Sequence, residues 1–324
     1  MTALLDVEDL TIEIATRRGP VVAVDGVSLS IEAGEVLGVV GESGAGKSIT
    51  GTAILGLLEP PARRARGQIR LEGRRIDNLA EPELRQLRGK SIGAVFQDPL
   101  TSLNPLIPIG RQITQTIMTH LPVTFAEAHD RAFRLLSEVG IPAARERLAA
   151  YPHELSGGMR QRVVLALAFC CEPRLVIADE PTTALDVSVQ AQVIDLLKRL
   201  GREHGTAVML ITHDMGVIAE TADRIAVMYA GRQVEVGTAD DVLLRPRHPY
   251  TQGLMASIPA IDERRDELVQ IEGTMPRPGA VPAGCAFHPR CRVCLPRCTS
   301  ERPTLGNDAK TGVACWLADR PASP

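Results

Sequence analysis

Three short segments carry side chains suited to handling a phosphate chain. The first reads G-E-S-G-A-G-K-S, that is Gly41, Glu42, Ser43, Gly44, Ala45, Gly46, Lys47 and Ser48, with Ile49 next. This spacing lets small residues turn tightly, so that backbone N–H groups converge on phosphate oxygens. Gly44 and Gly46 remove side chains that would block the approach. Lys47 adds a point charge toward the β and γ phosphates, and Ser48 offers a hydroxyl to Mg²⁺. A helix starting there adds its positive end. The second segment, L-V-I-A-D-E, is an apolar strand closing on Asp179 and Glu180. Asp179 suits Mg²⁺ held through water, and Glu180 suits polarisation of an attacking water. His213 follows another apolar strand, placed to contact the γ-phosphate and link it to Glu180. Gln97 ends a further strand and could meet Mg²⁺ or the attacking water.

The third segment, L-S-G-G-M-R-Q from Leu155 to Gln161, has no task in its own chain's phosphate site. Ser156 sits where a helix N-cap belongs, and Gly157 and Gly158 bare the N–H groups behind it. Such a helix tip makes sense if a second subunit brings nucleotide to it. Together the three segments imply ATP hydrolysis at a shared interface.

The elements that must position these groups follow from the hydrophobic pattern. Leu4 to Ile14 and Val21 to Ile31 alternate as half-buried strands, and Val36 to Val40 is a short apolar strand feeding the glycine turn. Lys47 to Leu58 is expected to be a helix. Ile92 to Phe96, Leu175 to Ala178 and Val208 to Thr212 are further strands, while Ile225 to Tyr229 and Gln233 to Val236 flank Gly231 as a hairpin. Val189, Val193, Leu196, Leu197 and Leu200 recur at helical spacing. Thr238 with Asp241 opens a short helix. From about 105 to 165 the spacing is helical, an inserted helical subdomain in which Phe133, Leu136, Val139 and Gly140 mark a helix and its stop. The fold expected is α/β, a P-loop NTPase with a mainly parallel sheet and an antiparallel portion at the amino end. Binding groups then belong at the carboxyl ends of strands.

Composition narrows the classes. The chain has 324 residues, 44% of them hydrophobic, and a net charge of −3, which gives no reason to expect nucleic acid as a partner. The basic run from Arg63 to Arg75 is expected to be a solvated loop and strand edge. The longest strongly apolar run, Val163 to Cys171, is about half of what a membrane helix needs. Asp6, Glu8 and Asp9 stand where a signal peptide would require positive charge and an apolar core, so a cytosolic chain is expected. Five of seven cysteines lie between Cys285 and Cys315, and 11 of 23 prolines fall from Pro246 onward. These shifts place a boundary near 246, with a nucleotide-binding domain over 1–245 and a loop-rich extension over 246–324.

The chain resembles the nucleotide-binding subunits of ABC transporters over roughly residues 4 to 260, with the glycine loop, Gln97, L-S-G-G, the Asp179-Glu180 strand end, Ala184-Leu185-Asp186 and His213 in order. By that resemblance the fold is of ABC type and two subunits sandwich two ATP molecules. Ser156, Gly157 and Gly158 then bind the γ-phosphate on the partner's loop, and Asp186 communicates between the sites. More narrowly, Q-D-P-L-T-S-L-N-P at Gln97 to Pro105 and H-P-Y-T-Q-G-L at His248 to Leu254 are similar to the ATPases of oligopeptide, dipeptide and nickel importers. That implies a second, non-identical ATPase subunit, two transmembrane permeases, an extracytoplasmic substrate-binding protein, and a peripheral place on the cytoplasmic face of the membrane. Nickel or another small solute is the alternative cargo, and a soluble non-transport ABC ATPase the alternative class. The family's adenine-stacking aromatic has no counterpart here, because no aromatic precedes Phe96. Ile14 occupies its place, with a guanidinium from Arg17 or Arg18 as the other candidate.

For the cysteines themselves, metal is favoured over disulfides in a cytosolic ATPase, and both zinc and an iron–sulfur cluster accept four of them. The resemblance selects among these. G-C-A-F-H-P-R-C and V-A-C-W match the tails of several peptide-importer ATPases, which implies a [4Fe-4S] cluster on Cys285, Cys291, Cys298 and Cys315 and leaves Cys294 surplus. Cys170 and Cys171 are expected in the core.

Overall fold

The computed structural model describes residues 3–183, 185–257, 270–306 and 310–318. In chain order the strands are β1 (Leu5–Thr16), β2 (Gly19–Ile31), β3 (Val36–Val40), β4 (Ala62–Leu71), β5 (Arg74–Arg75), β6 (Ile92–Val95), β7 (Leu175–Asp179), β8 (Ala207–Ile211), β9 (Arg224–Tyr229), β10 (Arg232–Thr238) and β11 (Gly312–Val313). The helices are α1 (Lys47–Ile54), α2 (Glu81–Leu87), α3 (Pro99–Ser102), α4 (Ile109–His120), α5 (Phe125–Glu138), α6 (Ala144–Arg147), α7 (Gly157–Phe169), α8 (Val187–His204), α9 (Met215–Thr221), α10 (Ala239–Leu244) and α11 (Pro249–Ala256). They divide between two compact units. One takes the chain up to Ile31, Leu37–Asp77 and everything from Thr212 onward; the other takes Glu32–Val36 and Asn78–Ile211.

In the first unit, β1 lies between β2 and β4 in an antiparallel sheet of order β2-β1-β4-β5. Its buried apolar residues are Leu5, Val7, Leu10 and Ile12, and the change from odd to even positions falls at a register shift between Val7 and Leu10. The basic run, expected as a solvated loop and strand edge, forms the ten-residue β4 and then β5 at the end of the sheet, with Arg63, Arg66, Arg74 and Arg75 exposed. Arg63 pairs with Glu13 at 2.6 Å, Arg66 with Asp9 at 2.9 Å and Arg70 with Glu8 at 3.0 Å, all carboxylates of the neighbouring β1. Opposite charges facing across a ladder stabilise the pairing and cancel the field that isolated arginines would produce. Strand β3 runs parallel to β9, and β9, β10 and β11 continue antiparallel.

The region from 246 onward is therefore not loop alone. It contributes α11, two short 3₁₀ turns at His288–Arg290 and Pro296–Thr299, and β11, which pairs Val313 with Glu235.

In the second unit, β6, β7 and β8 are parallel, with Ile92 opposite Leu175 and Leu175 opposite Ala207. β7 and β8 are buried from Leu175 to Ala178 and from Ala207 to Ile211, as strands covered on both faces must be. The described elements between 105 and 165 are helical: α4, α5, α6 and the start of α7. Thr124 caps α5 by accepting from the Glu127 N–H, and Gly140 at φ +75° follows its last turn. Cys170 and Cys171 are buried at the end of α7.

Candidate active site

The phosphate loop joins β3 to α1 within the first unit. Its glycines are there because nothing larger fits. A Cβ on Gly41, at φ +148°, would stand 2.2 Å from the Met228 carbonyl oxygen. Gly44 and Gly46 also take positive φ, +83° and +100°, and a Cβ on Gly46 would meet the Ala23 carbonyl at 3.2 Å. A loop made of such residues exposes backbone rather than side chain, which is the condition for cradling an anion. Lys47 is buried, and its Nζ donates to the Gly41 oxygen at 2.7 Å and the Glu42 oxygen at 3.1 Å. The ammonium is thus folded back over the loop, inside the turn it would lend to a phosphate. Ser43, Gly44 and Ser48 are exposed, while Ala45 is fully buried and Ile49 partly so. The shape and donor set fit a nucleotide's phosphates with Ser48 beside the metal.

His213 belongs to the same unit. Thr212 donates its N–H to the Val39 oxygen at 3.2 Å, and Asp214 caps α9 by accepting from the Gly216 and Val217 N–H groups. These bonds fix the backbone on both sides of an exposed His213.

Gln97, Asp179 and Glu180 sit in the second unit, and there the structure joins two of the predicted residues directly. Gln97 Nε2 donates to Glu180 Oε2 at 2.9 Å, and Thr183 Oγ1 donates to the same oxygen at 3.0 Å. The parallel register of β6 and β7 brings these strand ends side by side. Glu180 has φ +46°, a left-handed conformation that costs a non-glycine residue of order 1–3 kcal/mol. Its N–H is held by the Ile211 oxygen at 2.8 Å, which continues the β7–β8 ladder one residue past Asp179. Glu180 thus leaves the extended path of β7, and one of its carboxylate oxygens is held by two donors. Thr183 carried no signal that the sequence reading used.

In the same unit Ser156 caps α7, its Oγ accepting from the Met159 N–H at 3.3 Å. Ser156 and Gly157 are exposed. A Cβ on Gly158 would come within 2.7 Å of Val189 Cγ1 on α8, so the glycine also permits close packing of α7 on α8. Asp186 stands exposed at the N-cap of α8 and makes no side-chain cap bond; Ala184, its neighbour in the A-L-D segment, lies outside the described residues.

The sequence missed how the carboxyl-terminal region meets the phosphate loop. Tyr250, from the H-P-Y segment, is buried and its Oη accepts from the Glu42 N–H at 2.9 Å. Arg290 Nη1 donates to both Glu42 carboxylate oxygens, at 2.9 and 3.1 Å. His248 caps α11, its Nδ1 accepting from the Tyr250 N–H, and burial lowers its pKa to about 4.

Cys285, Cys291, Cys298 and Cys315 line one small apolar pocket of about 10 Å³, together with Phe287 and Trp316. Cys294 is exposed and does not line it. Burial first, and then the neighbouring Cys298, Cys315 and Cys291, raise the Cys285 thiol to about 11. Among the described residues, no three His, Cys, Asp or Glu side chains stand close enough to share a single metal ion.

A mixed α/β core, a glycine phosphate loop and a strained glutamate at a strand end define a P-loop ATPase. The family described as ABC transporter matches residues 24–183, and the one described as oligopeptide/dipeptide transporter, C-terminal region, matches residues 234–298. The oligopeptide transport ATP-binding protein AppD of Bacillus subtilis is 46% identical over 98% of this chain and 97% of its own. The oligopeptide transport ATP-binding protein OppD of Salmonella typhimurium is 48% identical over 93% and 89%. Among solved structures, a dimer of the ATP-binding cassette MJ0796 in a post-hydrolysis state with ADP and Pi is 27% identical, with a TM-score of 0.65 over 72% of this chain and 98% of that one. The chain belongs to the ATP-binding subunits of ABC importers, in the oligopeptide/dipeptide family, and is an ATPase.

Proposed function

We propose that the chain energises import of di- or oligopeptides, working with a second, non-identical ATPase subunit and two permeases fed by an extracytoplasmic binding protein. The observation that carries this is identity of 46–48% across nearly the whole chain, carboxyl-terminal region included, to oligopeptide transport ATP-binding proteins. No helix among the described residues is long and apolar enough to cross a membrane, and in this proposal the permeases hold the chain at the membrane's cytoplasmic face. Uptake of labelled di- and oligopeptides into vesicles holding the isolated complex tests the cargo. ATP-driven uptake of nickel or another solute, with none of peptide, would overturn it.

In this reading Gly41 to Ile49 and Lys47 hold the phosphates, and Ser48, Gln97 and Asp179 hold Mg²⁺, which neutralises charge on the β and γ oxygens when bound. Glu180 takes the proton of the attacking water. Its Oε2 is held by Gln97 and Thr183, which support the carboxylate's orientation as the base. His213 contacts the γ-phosphate. Ser156, Gly157 and Gly158 close on the nucleotide carried by the partner chain, and Asp186 links the two sites. The exposure of Ser156 and Gly157 supports this, because an N-terminal helix tip with donors turned to solvent is ready for an anion. The domain division at 245/246 and the helical subdomain over 105–165 belong to the same proposal.

Cys285, Cys291, Cys298 and Cys315 are proposed to hold a [4Fe-4S] cluster, whose role is to order a segment too small for its own core. Their shared cavity supports it, and the exposure of Cys294 supports leaving that residue out. After anaerobic purification, Cys294→Ser should retain iron and sulfide and Cys291→Ser should lose them. A colourless protein carrying zinc would refute the cluster.

A further inference from the structure

We propose that Arg290 is a positioning residue of the phosphate loop, through which the carboxyl-terminal extension sets nucleotide affinity. This rests on Gly41 to Ser48 being the ATP loop. Arg290 is 248 positions from Glu42, yet its guanidinium grips both carboxylate oxygens and is only 7% exposed. Its remaining donors are also committed. Nε donates to the Glu272 oxygen at 2.8 Å and Nη2 to the Ile271 oxygen at 3.2 Å, while the guanidinium carbon lies 5.8 Å from the Tyr229 ring centre and 5.9 Å from that of Phe287. A planar fork fixed on all sides transmits position, not merely charge.

Glu42 is held at two points, at its carboxylate by Arg290 and at its N–H by Tyr250. The Glu42 carbonyl in turn accepts from Lys47 Nζ. A continuous path of hydrogen bonds therefore runs from the extension to the ammonium that binds phosphate. A second contact lies on the same loop. Met275 Sδ accepts from the Ala230 N–H at 3.4 Å, and its methyl carbon lies 3.2 Å from where a Gly44 Cβ would be. Without Arg290, Glu42 keeps a partly buried carboxylate with no ion partner, and the loop's entry loses its anchor. Arg290 also immediately precedes Cys291, which lines the cysteine cavity. Whatever orders that cavity reaches the phosphate loop through one peptide unit.

The test uses the full chain in its transporter complex, binding a trinitrophenyl-ATP probe, with kcat and KM for ATP measured separately and melting followed in parallel. Arg290→Ala and Glu42→Gln should each raise the probe Kd and the KM about tenfold, the order of one lost charge-assisted contact, with kcat within about twofold. The double variant should be no worse than the worse single one, since both remove the same bond. Arg290→Lys should fall between, because an ammonium restores charge but not the fork. Unchanged affinity in both single variants, additive losses in the double variant, or losses that merely track the unfolded fraction would overturn the proposal. If Arg290→Ala does not fold, Glu42→Gln, which preserves shape, decides the question. Lys47→Ala separates the two readings: intact ATP binding there defeats the loop assignment itself, whereas lost binding there with normal affinity in Glu42→Gln defeats only the role of Arg290.

Discussion

Replacing Ser156 with alanine separates what the side chain does for its own helix from the role proposed for it at a neighbour's nucleotide. Within the chain its hydroxyl oxygen accepts one bond, from the Met159 N–H at 3.3 Å, and the residue is exposed. An N-cap Ser→Ala change costs about 0.5–2 kcal/mol, and a bond this long belongs at the lower end. In a protein of this size that is a melting shift of about 2 °C or less. At 25 °C such a loss leaves the chain folded, so a purely structural serine would leave turnover untouched. A hydroxyl reaching a γ-phosphate is a charge-assisted donor of about 1.5–3 kcal/mol, which corresponds to a loss of about 10- to 150-fold in turnover. The assay is steady-state ATP hydrolysis by the complete transporter, alongside thermal melting of the same preparation. Ser156→Asn sharpens it: asparagine caps helices well, so melting should recover while turnover stays low. Equal hydrolysis by parent and Ser156→Ala, or recovery of turnover in Ser156→Asn, would refute the reasoning, because the serine would then be a cap and nothing more.

Glu180→Gln keeps an oxygen for Gln97 and Thr183 but removes the base, so ATP binding should persist while hydrolysis falls about 10²- to 10⁴-fold; hydrolysis within a few-fold of the parent would exclude Glu180 as the base. Stability should fall in acid through His248. Its pKa is about 4 in the fold against about 6.5 when unfolded, so between those values the unfolded chain binds the extra proton and stability rises with pH. The loss should reach about 3 kcal/mol near pH 4 and be absent above about pH 7. His248→Asn, which can accept the same cap bond and does not titrate, should flatten that part of a denaturant-midpoint profile.

The segments that build the candidate site were legible because their local structure follows from spacing. Glycine spacing fixes a turn, an apolar run fixes a buried strand, and a carboxylate at its end is delivered to the sheet edge. β3, β7 and β8 were found within a residue or two, and Ser156 was found as a cap. Strand β4 was read only as a strand edge within a solvated basic run, because its arginines break the alternation of apolar and polar residues that marks a strand. Their partners Asp9, Glu13 and Glu8 lie some 50–60 positions away on β1, so only sheet pairing could show that the charges cancel. The strain at Glu180 was hidden for a related reason: nothing in A-D-E-P announces a left-handed residue, and the Ile211 oxygen that holds it comes from the next strand.

By itself, then, the amino-acid order settled the phosphate loop, the acidic strand end, the capped glycine helix tip and the gathering of cysteines near the carboxyl end. Each depends on neighbours a few residues apart, where spacing is geometry. Tertiary structure alone decided that Gln97 and Thr183 share one oxygen of Glu180, and that Arg290 and Tyr250 grip Glu42. Those contacts join segments up to 248 positions apart, and a chain's local pattern carries no distance information across such a span until the strands between have paired.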